Sequence, residues 1–134
     1  MKLLLKPIVD TDSPLEGEGL VIEKPVSFLG DVDPEMGILV QPDSRMNGEP
    51  LSRRVLFAPE GRGSTVGSYV LYALKSNGKH PLAIVMHKAE PIVITGAVIS
   101  GIPLLEGMPW NFYNEPRILS KVVVNPGGWV EIIE

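Results

Sequence analysis

RRVLFAPEGRGSTVGSYVLYALKSNGKHPLAIVM, residues 53 to 86, decides the fold. Arg53–Ala58 reads as a strand, since Val55, Leu56 and Phe57 suit a buried pleated surface. It runs straight into Gly61-Arg62-Gly63-Ser64-Thr65-Val66-Gly67, where three glycines fall in seven positions. Val66 to Asn77 predicts a helix, because Val70, Leu71, Ala73 and Leu74 can share one face and Gly78 stops it. Pro81–Met86 is a near-continuous apolar run, the pattern of a strand covered on both faces. Strand, glycine loop, helix and strand together predict a right-handed βαβ unit.

Working outward, short apolar runs are punctuated by thirteen prolines and fourteen glycines, which predicts many strands and few helices. Gly19–Glu23 is one strand, ending near Pro25. Gly37–Val40 is another, between the turn signals Asp33-Pro34 and Gln41-Pro42. Ile102–Leu105 is a short strand. Lys121–Val124 and Trp129–Ile133 form a hairpin about Asn125–Gly128. Residues 92–100 admit two readings. Their β-branched residues favour a strand, while Pro91 in a first-turn position and Gly96-Ala97 allow a helix. The opening MKLLLKPIV reads as a strand and not a signal peptide, since Lys6 and Pro7 interrupt it and no small-residue cleavage site follows. The expected fold class is α/β and β-rich, in a single domain over residues 1–134.

Composition narrows the function. Twelve basic and sixteen acidic residues give a net charge of -4 with no basic run, which argues against nucleic acid and anionic membranes as partners. No apolar run approaches the roughly 20 residues of a membrane span, so a cytoplasmic location is expected. The absence of cysteine excludes disulfides, a thiol nucleophile and any iron–sulfur cluster held by this chain through cysteine. With only His80 and His87, a zinc site is disfavoured.

The loop itself leaves several chemistries open. It sits where open α/β sheets bind ligands, outside the carboxyl end of a strand. The following helix offers its positive end to an anion. Both nucleotide motifs fail: there is no lysine for GxxxxGK[ST], and Val66 stands at the third glycine of GxGxxG. Ser64 lies between Gly63 and Thr65 with Arg62 two residues away, a setting that can hold an alkoxide. GxSxG is absent, and neither histidine has a triad context. Ser68 reads as an exposed helix-start residue, His80 and His87 as surface residues, and Trp110 and Trp129 as core or interface anchors. A structural turn and a stand-alone anion-binding module both remain compatible with these residues.

Gly61 to Leu71 resembles the signature of the small subunit, or swivel domain, of the aconitase X family. Pro25 to Gly37, with Ser27-Phe28, Gly30, Asp33-Pro34 and Gly37, and Thr95 to Pro103, with Gly96-Ala97 and Gly101-Ile102-Pro103, agree in order and spacing. The segment departs at Leu29-Gly30-Asp31, where many relatives carry Trp-Gly-Gly. The resemblance covers about residues 15 to 134. It implies a swivelling β/β/α domain like the mobile fourth domain of aconitase. It also implies a heterodimer with a large catalytic subunit, which carries a cysteine-ligated iron–sulfur cluster and most of the pocket. The implied activity is hydro-lyase dehydration of a small β-hydroxy acid. For the archaeal type this is 5-phosphomevalonate, converted to trans-anhydromevalonate 5-phosphate in isoprenoid synthesis; bacterial relatives act on cis-3-hydroxyproline. By the same resemblance Ser64 is the proton acceptor, Arg62 supports its charge or a substrate anion, and Gly63 and Thr65 shape the loop around substrate. Ser27, Phe28 and Asp33 become candidates to line the subunit interface.

Overall fold

The computed structural model describes residues 1–63 and 66–134. In chain order the elements are β1 (Lys2–Leu4), β2 (Lys6–Val9), β3 (Leu15–Val21), a distorted turn α1 (Phe28–Asp31), β4 (Val32–Asp33) and β5 (Ile38–Leu39). There follow β6 (Val55–Phe57), α2 (Gly67–Ser76), β7 (Ala83–Met86), α3 (Pro91–Ser100), β8 (Leu104–Glu106), a 3₁₀ turn at Trp110–Asn114, β9 (Arg117–Val124) and β10 (Trp129–Ile133). Eight strands form one sheet in the order β1-β10-β9-β3-β6-β7-β8-β2, and β4 and β5 pair separately. Strands β3, β6, β7 and β8 are parallel neighbours, with α2 and α3 as their crossovers. The flanking pairs are antiparallel.

Alternate residues of the parallel strands feed two cores, as side-chain alternation in a strand requires. Val21, Val55, Phe57, Ala83, Val85 and Leu105 cluster with Leu119, Val122, Val130 and Ile132 of the β9–β10 hairpin. Leu20, Leu56, Ile84, Met86 and Leu104 cluster with Leu71, Leu74, Val93 and Ala97 of the helices. The parallel strands thus lie between the β9–β10 hairpin on one side and the helices on the other, and burying each of the larger apolar side chains contributes about 1.5–3 kcal/mol. The unbroken apolar reading of β7 has its cause here, since all four of its residues are buried.

The opening segment differs from the single strand expected. It divides at Leu5: the first half pairs with β10 and the second with β8, so this one segment supplies both edges of the sheet. The Leu5 N–H donates to the Gly128 carbonyl at 2.8 Å, and the Leu5 side chain is buried in the hairpin core. Strand β3 begins at Leu15, four residues before the expected Gly19. Its Glu16, Gly17 and Glu18 hid it. Gly19 is required there because a Cβ would lie 2.8 Å from a Leu119 methyl and 2.9 Å from one of Val122.

Residues 92–100 are helical. The Glu90 carboxylate accepts from the Ile92 N–H at 3.0 Å and the Val93 N–H at 2.9 Å, Pro91 fills the first turn, and Gly101 at φ 66 ends the helix. Capping and packing override β-branched preference. A Cβ on Gly96 would come 2.6 Å from a Leu71 methyl and 3.1 Å from the Ser68 Cα, so α2 and α3 touch almost backbone to backbone. Ser68 is therefore buried against α3, where the sequence suggests an exposed helix start.

A loop at the carboxyl ends of the parallel strands

The chain leaving β6 does not simply turn into α2. It is held by two short parallel bridges, Val26 with Gly61 and Glu60 with Lys88. The Val26 N–H donates to the Glu60 carbonyl at 3.0 Å, and the Arg62 N–H returns a bond to the Val26 carbonyl at 3.0 Å. The start of the glycine loop is thus an extension of the sheet, placed outside the carboxyl ends of β3, β6 and β7. Ser64 and Thr65 lie outside the described residues, and so does any contact they make.

Two glycines are explained by their neighbours. A Cβ on Gly61 would stand 2.5 Å from a Val93 methyl and 2.8 Å from Glu90 Oε1. Gly63 adopts φ +104, and a Cβ there would stand 2.5 Å from Ser27 Oγ. Ser27 is fixed in turn: its N–H donates to Asp31 Oδ2 at 2.8 Å and its hydroxyl to the Leu29 carbonyl at 3.0 Å. Gln41 Nε2 donates to the same Asp31 carboxylate at 3.2 Å and to the Pro25 carbonyl at 2.9 Å. The segment 25–31 and the glycine loop therefore form one wall.

The electrostatics of the two helix starts differ. The positive end of α3 is taken up by Glu90, whereas α2, which the loop leads into, has no acidic residue in its first turn. Arg62 is exposed, and among the described residues no ion pair engages it. An anion beside this loop would have the Arg62 charge and the positive end of α2 near it, with the Glu90 carboxylate on the Gly61 side. A shallow depression of about 210 Å³, lined by Ser68, Pro91, Ile92 and Thr95, opens between the first turns of α2 and α3. A larger cavity of about 310 Å³ lies at the amino ends of the same strands, where Lys75, His80 and Asp12 contribute. It is remote from the loop.

Other candidates take varied places. Phe28 is buried in the helix-side core and so lines no open surface, while the half-buried Asp33 caps its own turn, accepting from the Glu35 and Met36 N–H groups. Neither histidine is a plain surface residue. His87 is half-buried, stacked on Trp110 with ring centres 4.1 Å apart, and its Nδ1 lies 2.9 Å from the Met108 carbonyl, which assigns the proton to Nδ1. His80 Nδ1 is buried and has no hydrogen-bond partner among the described residues, and burial, with Lys75 nearby, lowers the pKa of its ring. Trp110 and Trp129 are both substantially exposed. The stack at His87 joins positions 87 and 110, which share no local signal in the sequence.

The profile of the aconitase X swivel domain matches residues 5–132. The chain belongs to the aconitase X swivel domain family. It is 55% identical over 120 residues to the phosphomevalonate dehydratase small subunit of Pyrococcus abyssi, covering 89% of this chain and 90% of that one. It is 51% identical to the protein of that name from Thermococcus kodakarensis, over 100% of this swivel domain and 98% of the relative. Among solved structures, Thermococcus kodakaraensis aconitase X in its holo form superposes with a TM-score of 0.88 at 46% identity, covering 100% of this chain and 99% of that one. The solution structure of a UPF0107 protein gives 0.86 at 41% identity, with both chains covered completely. The β/β/α layering expected from the resemblance is the fold observed. No helix among the described residues is long and apolar enough to cross a membrane.

Proposed function

We propose that this swivel domain is the small subunit of a cytoplasmic hydro-lyase that converts 5-phosphomevalonate to trans-anhydromevalonate 5-phosphate. The observation that carries the reading is a match of 51–55% identity, over 89–100% of this chain, to phosphomevalonate dehydratase small subunits. Dehydration of a β-hydroxy acid breaks the C–H bond α to the carboxylate and the C–O bond at the β carbon, forms the double bond and releases water. In this reading Ser64 accepts the α proton. A serine does so only where its alkoxide is stabilised. Arg62, the acid-free first turn of α2 and the loop backbone at Gly63 supply positive potential for that charge or for a substrate anion, with Thr65 completing the loop.

The rest of the site belongs elsewhere. This chain has no cysteine, and among its described residues no three His, Asp or Glu side chains converge, so an iron–sulfur cluster does not fit it. We assign the cluster and the remainder of the pocket to a larger partner subunit in a heterodimer. The test is reconstitution with the larger subunit and 5-phosphomevalonate, with cis-3-hydroxyproline as the competing substrate. Native chain should give turnover of the phosphorylated acid only in the mixture, and Ser64→Ala should abolish it while the complex still forms. Near-normal turnover by Ser64→Ala would overturn the assignment of the base.

A further inference from the structure

The two helices carry almost no charge. Across the twenty residues of Gly67–Ser76 and Pro91–Ser100, Lys75 is the single ionisable group apart from the tyrosines. Their inward faces are accounted for by the core, so the outward faces should be polar in a chain that works alone. Beside the exposed Lys75, Ser76 and Thr95 they show large apolar groups: Tyr69 is 71% exposed, Tyr72 51%, Val98 61% and Ile99 57%. At the loop end the apolar surface continues through Val66 and Leu29, which are 44% and 46% exposed. Beneath these side chains Gly67 is buried where a Cβ would stand 3.5 Å from an Ile92 methyl and 3.9 Å from the Leu29 nitrogen, so the starts of α2 and α3 and the 25–31 wall lie side by side.

We infer that the outer face of the α2–α3 layer, from Leu29 and Val66 at the glycine loop to Tyr72 and Val98, is the seat of the larger subunit. The inference rests on the proposed function, and it adds which surface is used. Two observations select this occupant. The apolar surface is continuous with the loop that carries the proposed base, and a partner completing the pocket has to cover that loop. The surface is also depleted of charge and bears two exposed tyrosines, the composition of the centre of a stable interface and not of its rim. The partner surface that fits it is uncharged and apolar, with recesses for the two phenol rings.

The experiment measures binding of the purified chain to the larger subunit by calorimetry, with turnover of 5-phosphomevalonate read in parallel. Tyr69→Glu and Val98→Glu each place a charge on an exposed site, so circular dichroism and melting should match the native chain. Each should weaken binding at least tenfold, on the order of 1.4 kcal/mol or more. Ile118→Glu, on β9 outside the helical layer, should bind as the native chain does. Native-like binding by both helix variants, or equal loss with Ile118→Glu, would overturn the proposal while leaving the reaction in place. A native complex that ignores 5-phosphomevalonate would overturn the proposed reaction while leaving the surface in place. If the helix variants only abolish self-association of the isolated chain, the occupant is a second copy and the proposal fails.

Discussion

Replacing Gly61 by alanine probes the joint between the glycine loop and the α3 cap. Gly61 does not adopt positive φ, so an alanine backbone is unstrained there and the effect is steric. The new methyl would sit 2.5 Å from a Val93 methyl and 2.8 Å from Glu90 Oε1, closer than either contact tolerates. Val93 is core, leaving Glu90 or the loop to move. If Glu90 swings away, α3 loses a carboxylate bonded to two of its N–H groups, about 1 kcal/mol. Overpacking against Val93 adds to this within the usual range of about 1–3 kcal/mol. A total near 2 kcal/mol lowers Tm by roughly 8 °C for a chain of this size. A loop displaced by about 1 Å costs up to ~100-fold in kcat/KM of the assembled enzyme. Thermal unfolding of Gly61→Ala, Glu90→Ala and the double variant, with reconstituted turnover, measures both effects. The double variant should cost less than the sum, because Glu90 has been removed from the clash. A Gly61→Ala chain melting within about 1 °C of native and fully active would refute the reasoning.

Two further outcomes follow from groups outside the loop. Burial, together with Lys75, holds the folded-state pKa of His80 below its ordinary value. The unfolded chain therefore binds the proton first, and stability present above about pH 6.5 is lost as the pH falls below that value. Melting between pH 7.5 and 5 should show this decline, and His80→Gln should flatten it; an unchanged profile would remove His80 as the cause. Tyr113→Phe deletes a 3.0 Å bond from the buried phenol to the Val85 carbonyl, which still accepts from Ala58. The expected cost is about 1 kcal/mol, a fall in Tm of roughly 3–6 °C.

What was legible in the sequence is what local chemistry encodes. The β6–loop–α2–β7 unit could be read because its apolar periods differ and glycines mark the joints. The observed α2, with Val66 and Asn77 at its caps, falls within the residues expected to be helical. The terminal hairpin was legible through Asn125–Gly128. Residues 92–100 were not, because the carboxylate that settles them belongs to Glu90, outside the run, and the glycine that matters is matched to Leu71 and Ser68 on another helix. The division at Leu5 was hidden for the same reason, since its partner is Gly128 at the far end of the chain. At the site, the loop was legible through Gly61 and Gly63, while the Ser27–Asp31–Gln41 network that walls it in lies well upstream of the loop in the chain.

The division of the opening segment also limits how this protein can associate. Its sheet ends in edges of three and four residues, and these carry Lys2, Lys6 and Pro7. Short, charged, proline-bearing edges give another strand little to register against. Growth of the sheet by a borrowed strand is disfavoured, whether from a partner or from a second copy. Assembly must then be read from side chains on a finished surface, which allows the domain to fold first and dock afterwards as a rigid part.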